Sequence, residues 1–152
     1  MFFEFGCLWV HVEPTLRLLR WEWKETVSSE DFQVAFKSLL AYSNSHQVKN
    51  WLADISHMPS VGTDEQAWLS ETWLEQFAAL GIEHIAFIQP VNLHNQLVLE
   101  SVLTDGRRYL RTEVQFFSDI LAALDWLTPS PCQAEHLEQQ WKEVKRCLPR
   151  YE

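Results

Sequence analysis

The sequence predicts a single α/β domain: a mixed sheet with a parallel centre, opened by an antiparallel hairpin and packed against helices. Three observations predict it. Residues 51–55 and 84–88 are short and almost continuously apolar, as strands covered on both faces are. Segments of helical period lie between the strands, and a helix between two strands is a crossover that leaves them parallel. Near the start, residues 19–24 alternate apolar and charged, and only a short turn around Glu13-Pro14-Thr15 separates them from the strand formers of residues 7–12.

In chain order, Leu8, Val10 and Val12 share one face of the first strand, with Trp9 and His11 on the other. In its partner, Leu19, Trp21 and Trp23 face one side and Arg20, Glu22 and Lys24 the other. The charged side reads as an outer face at a sheet edge. Ser28 with Asp31 has the form of a capping box, and Phe32, Ala35, Phe36, Leu39 and Leu40 form the apolar stripe of the helix that follows. After the central strand at 51–55, Thr63 reads as an N-cap with Gln66 at N3, and Asp64 and Glu65 face the positive end of the helix dipole. Leu69, Trp73, Phe77 and Leu80 are its buried stripe, and Gly81 ends it. The strand at 84–88 leads to a helix over 92–104, whose face is not fixed by the bunched Leu97-Val98-Leu99. A last strand falls within 110–117. Ser118 reads as the cap of a helix that turns Ile120, Leu121, Leu124 and Leu127 inward.

Thr128-Pro129-Ser130-Pro131 breaks the chain, and residues 133–148 are again helical. Ala134, Leu137, Trp141, Val144 and Leu148 alternate in spacings of three and four, an a/d seam over two heptads. Two uses of the seam stand: docking on its own domain, or a homodimer through Leu137, Trp141, Val144 and Leu148.

The 152 residues are enough for one compact core, and 47% apolar with 22% charged is an ordinary globular composition. A net charge of −9 argues against a nucleic-acid binder and against adhesion to an anionic membrane. No apolar run approaches the ~20 residues of a membrane span. The N-terminus lacks a basic region followed by an apolar stretch, so no signal peptide is expected. Three scattered cysteines, with no Cys-x-x-Cys, read as reduced thiols in a cytoplasm. No metal and no cofactor are expected: there is no His-x-x-x-His pair, and the four glycines are not clustered as a phosphate loop.

Trp21-Glu22-Trp23, Ser29-Glu30-Asp31-Phe32, Trp51-Leu52-Ala53-Asp54, Gln66-Ala67-Trp68-Leu69, Ile85-Ala86-Phe87 and Phe116-Phe117-Ser118-Asp119 with Ala123-Leu124-Asp125-Trp126-Leu127 resemble the STAS/SpoIIAA-like proteins. The likeness is to uncharacterised bacterial members, several from the Bacteroidetes, and covers about residues 8–128. It implies a SpoIIAA/STAS-like domain, placed over residues 1–130, and the helical tail makes residues 131–152 an extension of the same domain. It also implies a regulatory, protein-binding role without catalysis. Anti-sigma-factor antagonists of that family carry Asp-Ser-Ser-Gly at the start of the second helix, where one serine is phosphorylated. This chain has Pro59-Ser60-Val61-Gly62-Thr63-Asp64 there, while Asp54-Ile55-Ser56 resembles the Asp-x-Ser that ends the preceding family strand.

The candidate site gathers at the end of the central strand: Asp54, Ser56, His57, Ser60, Thr63 and Trp68. Asp54 is either an anchor for loop amides or a polar group at the carboxyl edge of the sheet. Ser56, Ser60 and Thr63 are either caps and turn residues or a hydroxyl cluster open to phosphorylation near a helix start. Trp68 lies away from the Trp73 and Phe77 stripe, as an interface anchor or as packing under a loop. Ser56, His57 and Asp54 could be drawn as a hydrolase triad, but sequence neighbours rarely meet in that geometry and no nucleophile-elbow glycines occur. A receiver-type phospho-acceptor site lacks its lysine. The functional expectation is therefore a non-catalytic STAS-like interaction domain, modulated through serine. The alternative is a pocket for a small or lipid-like ligand between the sheet edge and the second and third helices.

Overall fold

The computed structural model describes residues 2–5, 7–24 and 29–147. The Ser28 cap and Leu148 of the tail seam lie outside the described residues. Among these residues the sheet has six strands in sequential order: β1 (Phe2–Phe5), β2 (Leu8–Glu13), β3 (Leu18–Trp23), β4 (Asn50–Asp54), β5 (His84–Ile88) and β6 (Glu113–Phe117). β1, β2 and β3 form an antiparallel meander, and β3 to β6 run parallel. Ala53 is paired with Phe87, so the two apolar strands lie side by side and point the same way. This is the mixed sheet with a parallel centre that the sequence predicts. The added element is β1, which turns the expected hairpin into a meander.

Sequential order makes the crossover helices share one side. α1 (Ser29–Ser45), α2 (Thr63–Trp68), α3 (Leu74–Ala79) and α4 (Leu93–Asp105) cover that face. A π-helical segment, Leu69–Trp73, joins α2 to α3 and places Leu69 and Trp73 in the core. Gly81 closes this run at φ +69°, the left-handed geometry glycine adopts without strain. Large rings fill the space beneath. Trp21 meets Trp51 edge-on at 5.9 Å, Trp51 meets Phe77 at 5.0 Å, and Trp73 stacks on Phe77 at 5.2 Å. Trp73 Nε1 donates to the Phe36 carbonyl at 2.9 Å and Trp51 Nε1 to Ser43 Oγ at 2.9 Å, so these buried indoles keep partners.

α5 (Ile120–Leu127) and α6 (Pro131–Cys147) cover the other face. Leu52, Ala86 and Ile88 meet Ala123, Leu124, Ala134 and Leu137 there. The tail seam docks on its own sheet: Ala134, Leu137 and Trp141 are buried and Val144 is half-buried. Leu137 and Trp141 are thus used within the chain and are not free for the dimer contact. Among the described residues no helix is long and apolar enough to cross a membrane.

Three local readings are corrected. The charged face of β3 is not an outer edge: β3 is central, Arg20 is 3% exposed and Glu22 is half-buried. α6 supplies their partners, Glu138 for Arg20 and Lys145 for Glu22. Gly62, not Thr63, is the N-cap of α2; the Glu65 carboxylate folds back so closely that a Cβ on Gly62 would sit 2.5 Å from it. Asp119, not Ser118, caps α5, accepting from the N–H groups of Leu121 and Ala122 at 3.3 Å each. Trp126 is half-buried at the rim of the second core, against His84 and Phe117.

Candidate functional site

The carboxyl edge of the parallel strands carries most of the predicted residues, but the sheet divides them. Asp54 follows Leu52 by two residues, so its side chain lies on the α5/α6 face, in a cleft shared with Arg20 and Glu22. Its Oδ1 accepts from the Ser56 amide at 3.1 Å and from Ser56 Oγ at 2.5 Å, which folds the chain into a tight turn as it leaves β4. The Ser56 hydroxyl therefore points to Asp54, and no hydrogen bond joins it to His57 among the described residues. His57 is exposed.

Ser60 and Thr63 lie on the α1–α4 side of the sheet, both exposed. Ser60 Oγ accepts from Asn92 Nδ2 at 2.9 Å. No hydrogen bond links Ser56, Ser60 and Thr63 to one another among the described residues. Trp68 is half-buried against the aromatic core, with Lys37 Nζ 6.0 Å above its ring.

The residue that builds this rim was not singled out in the sequence. Asn95 of α4 is 1% exposed and binds the loop after β4 from beneath. Its Oδ1 accepts from the Val61 amide at 2.9 Å, and its Nδ2 donates to the carbonyls of Met58 and Pro59 at 3.0 and 3.1 Å. Asn92 caps α4 by accepting from the Asn95 amide at 2.9 Å, and His94 Nε2 lies 2.7 Å from the Val61 carbonyl. One turn of α4 thus fixes residues 58–61. The signal available in sequence was its register with Val98 and Val102, three and seven residues further along the same helix face.

Outside this polar turn, α4 is apolar on two opposite faces. Val98 and Val102 point into the core, while Leu93 and Leu97 are 68% and 56% exposed, and Val91 just before the helix is 80% exposed. A cavity of about 60 Å³ lies beneath α4, walled by Trp51, Trp73, Phe77, Ile55, Val98 and Leu99 among other apolar groups. It occupies the place expected for a ligand pocket, but small-molecule sites run to roughly 300–1,000 Å³. Among the described residues no three of His, Cys, Asp or Glu are grouped as metal ligands. Compared with protein-family models, with curated proteins and with solved structures, the chain matches none.

Proposed function

We propose that this chain is a non-catalytic, STAS-like regulatory domain that works by binding another protein through the rim built by α4 and the loop after β4. The observation that carries this reading is the outward apolar face of Val91, Leu93 and Leu97. Exposed large apolar groups gathered in one place are characteristic of contact surfaces. Ser60 adjoins this face through its bond to Asn92. Its exposed hydroxyl is where a phosphoryl group would set charge beside the apolar contact and alter it.

The test is copurification from a lysate of the source organism, using tagged wild type, a variant with Leu93→Glu and Leu97→Glu, and Ser60→Asp. Both leucines point to water, so the paired change leaves the fold intact. A protein retained by wild type and released by the leucine variant supports the reading. Equal retention by both would remove it. Ser60→Asp should change retention of the same protein.

The ligand-binding reading is favoured by the position of the cavity under α4 and opposed by its volume. It would require the cavity to enlarge several-fold, and native mass spectrometry of the freshly purified chain would detect a retained molecule.

A further inference from the structure

The face of the sheet opposite the aromatic core holds an open cleft of about 610 Å³. Glu22 of β3, Asp54 of β4 and Ser118 just past β6 stand around it, and α5 and α6 form its walls. The crevice outside the carboxyl ends of parallel strands is where open α/β sheets take ligands.

The polar groups of this cleft are unevenly matched. Four carboxylates line it, and each already has a donor. Glu22 pairs with Lys145, Glu138 accepts from Arg20, Asp54 accepts from Ser56, and Asp119 accepts from the first amides of α5. Apart from Lys145, the cations are not so supplied. Arg20 is almost wholly buried, yet among the described residues only Nη2 has an acceptor, while Nε and Nη1 have none. That one contact, to Glu138 Oε1, is 3.4 Å, long against the ~2.7–2.9 Å of a charge-assisted bond. Trp141 covers the guanidinium from one side, its ring centroid 4.1 Å from Cζ. Lys142 and Arg146 also line the cleft, both exposed and without an ion pair among the described residues. With Lys145 they stand at i, i+3 and i+4, on one face of α6. Cations near a helix C-terminus complement its dipole, which accounts for Lys145 and Arg146. It does not account for a buried arginine with two unmatched nitrogens, an arrangement native proteins avoid unless a partner completes it.

We propose that this cleft binds the phosphate group of a small phosphate monoester, held by Arg20, Lys142 and Arg146. A phosphate monoester brings close to two charges and three terminal oxygens to Lys142 and Arg146, both exposed, and to the Arg20 guanidinium behind Glu138. A single carboxylate brings one charge and two oxygens. Glu138 is the group that yields, its long contact giving way as the phosphate takes the guanidinium. The site lies across the sheet from the Ser60 and α4 rim and stands independently of the protein-binding reading.

Inorganic phosphate is the probe, titrated into the full chain at constant ionic strength with chloride as the balancing ion and succinate in a parallel series. Amide NMR signals of Ser118 to Leu121 and Lys142 to Arg146 should shift saturably with phosphate. The variant carrying Lys142→Ala and Arg146→Ala alters only exposed side chains, and it should bind phosphate at least about tenfold more weakly. Arg20→Lys, which keeps the charge but not the planar donors, should weaken binding further. Shifts no larger than those in chloride, a response to succinate as strong as to phosphate, or unchanged affinity in the Lys142/Arg146 variant would each overturn the assignment.

Discussion

Replacing His11 with phenylalanine should remove a pH dependence from the stability of this fold. His11 is 3% exposed; its ring stacks on Phe2 at a centroid distance of 3.8 Å and lies 6.3 Å from Trp141. Burial lowers its pKa from 6.5 to about 4; the charge of Arg20 acts in the same direction, and Glu13, 4.0 Å away, opposes. Between those two pH values the unfolded chain takes up a proton at this ring and the folded chain does not. The stability is therefore full above pH 6.5, declines as the pH falls, and stops declining below about pH 4. At about 1.4 kcal/mol per pH unit, the whole loss is about 3 kcal/mol. Phenylalanine keeps a planar ring and cannot take the proton. Urea unfolding of both proteins, followed by tryptophan fluorescence from about pH 7 down to about pH 4, gives the difference in unfolding free energy at each pH. Burial raises the pKa of Glu22, which favours the folded state as the pH falls, the opposite sense; it is present in both proteins and drops out of the difference. The difference should move by about 3 kcal/mol in favour of the variant over this range. A difference that stays constant with pH would refute the claim that the ring is held neutral under α6.

Three further outcomes are expected. Asn95→Ala leaves the Val61 amide buried without its acceptor and should cost about 1–3 kcal/mol in denaturant unfolding, with NMR shifts concentrated at residues 58–61. Arg20→Met strands the buried Glu138 and should cost about 3–5 kcal/mol, whereas adding Glu138→Leu should recover most of that loss; a double substitution no more stable than the single would show that the pair is not the source. Phe77→Ala should enlarge the cavity beneath α4 at about 3–5 kcal/mol, and benzene should raise the melting temperature of that variant more than that of the wild type. Equal shifts would mean that the space had collapsed.

What the sequence disclosed follows from where each signal originates. β4 and β5 were legible because both of their faces are buried by nearby helices, and Trp51 to Ala53 and Ile85 to Ile88 are apolar throughout. β1 was not, because its four residues carry no alternation that separates strand from coil. The caps were displaced by one residue where two candidates adjoin, Gly62 with Thr63 and Ser118 with Asp119. The burial of Arg20 had no local signal at all. A charged strand face reads as solvated unless its partner is known, and here that partner lies 118 residues further along. The same holds for the candidate site. Asp54 was legible as a polar group at a strand end, but which side of the sheet it served depended on where α6 returned. Asn95 was hidden because Leu97, Val98 and Leu99 obscure the period that would have turned it inward.

The return of α6 also bears on how the chain is made. β3 and everything it pairs with leave the ribosome long before residues 131–147, so Arg20 and Glu22 spend that interval hydrated on a half-finished sheet. A strand face of leucines in the same place would offer nascent chains an adhesive surface for as long as synthesis took. Two charged side chains keep the early sheet wettable, and Glu138 and Lys145 arrive later, on the helix that pairs them.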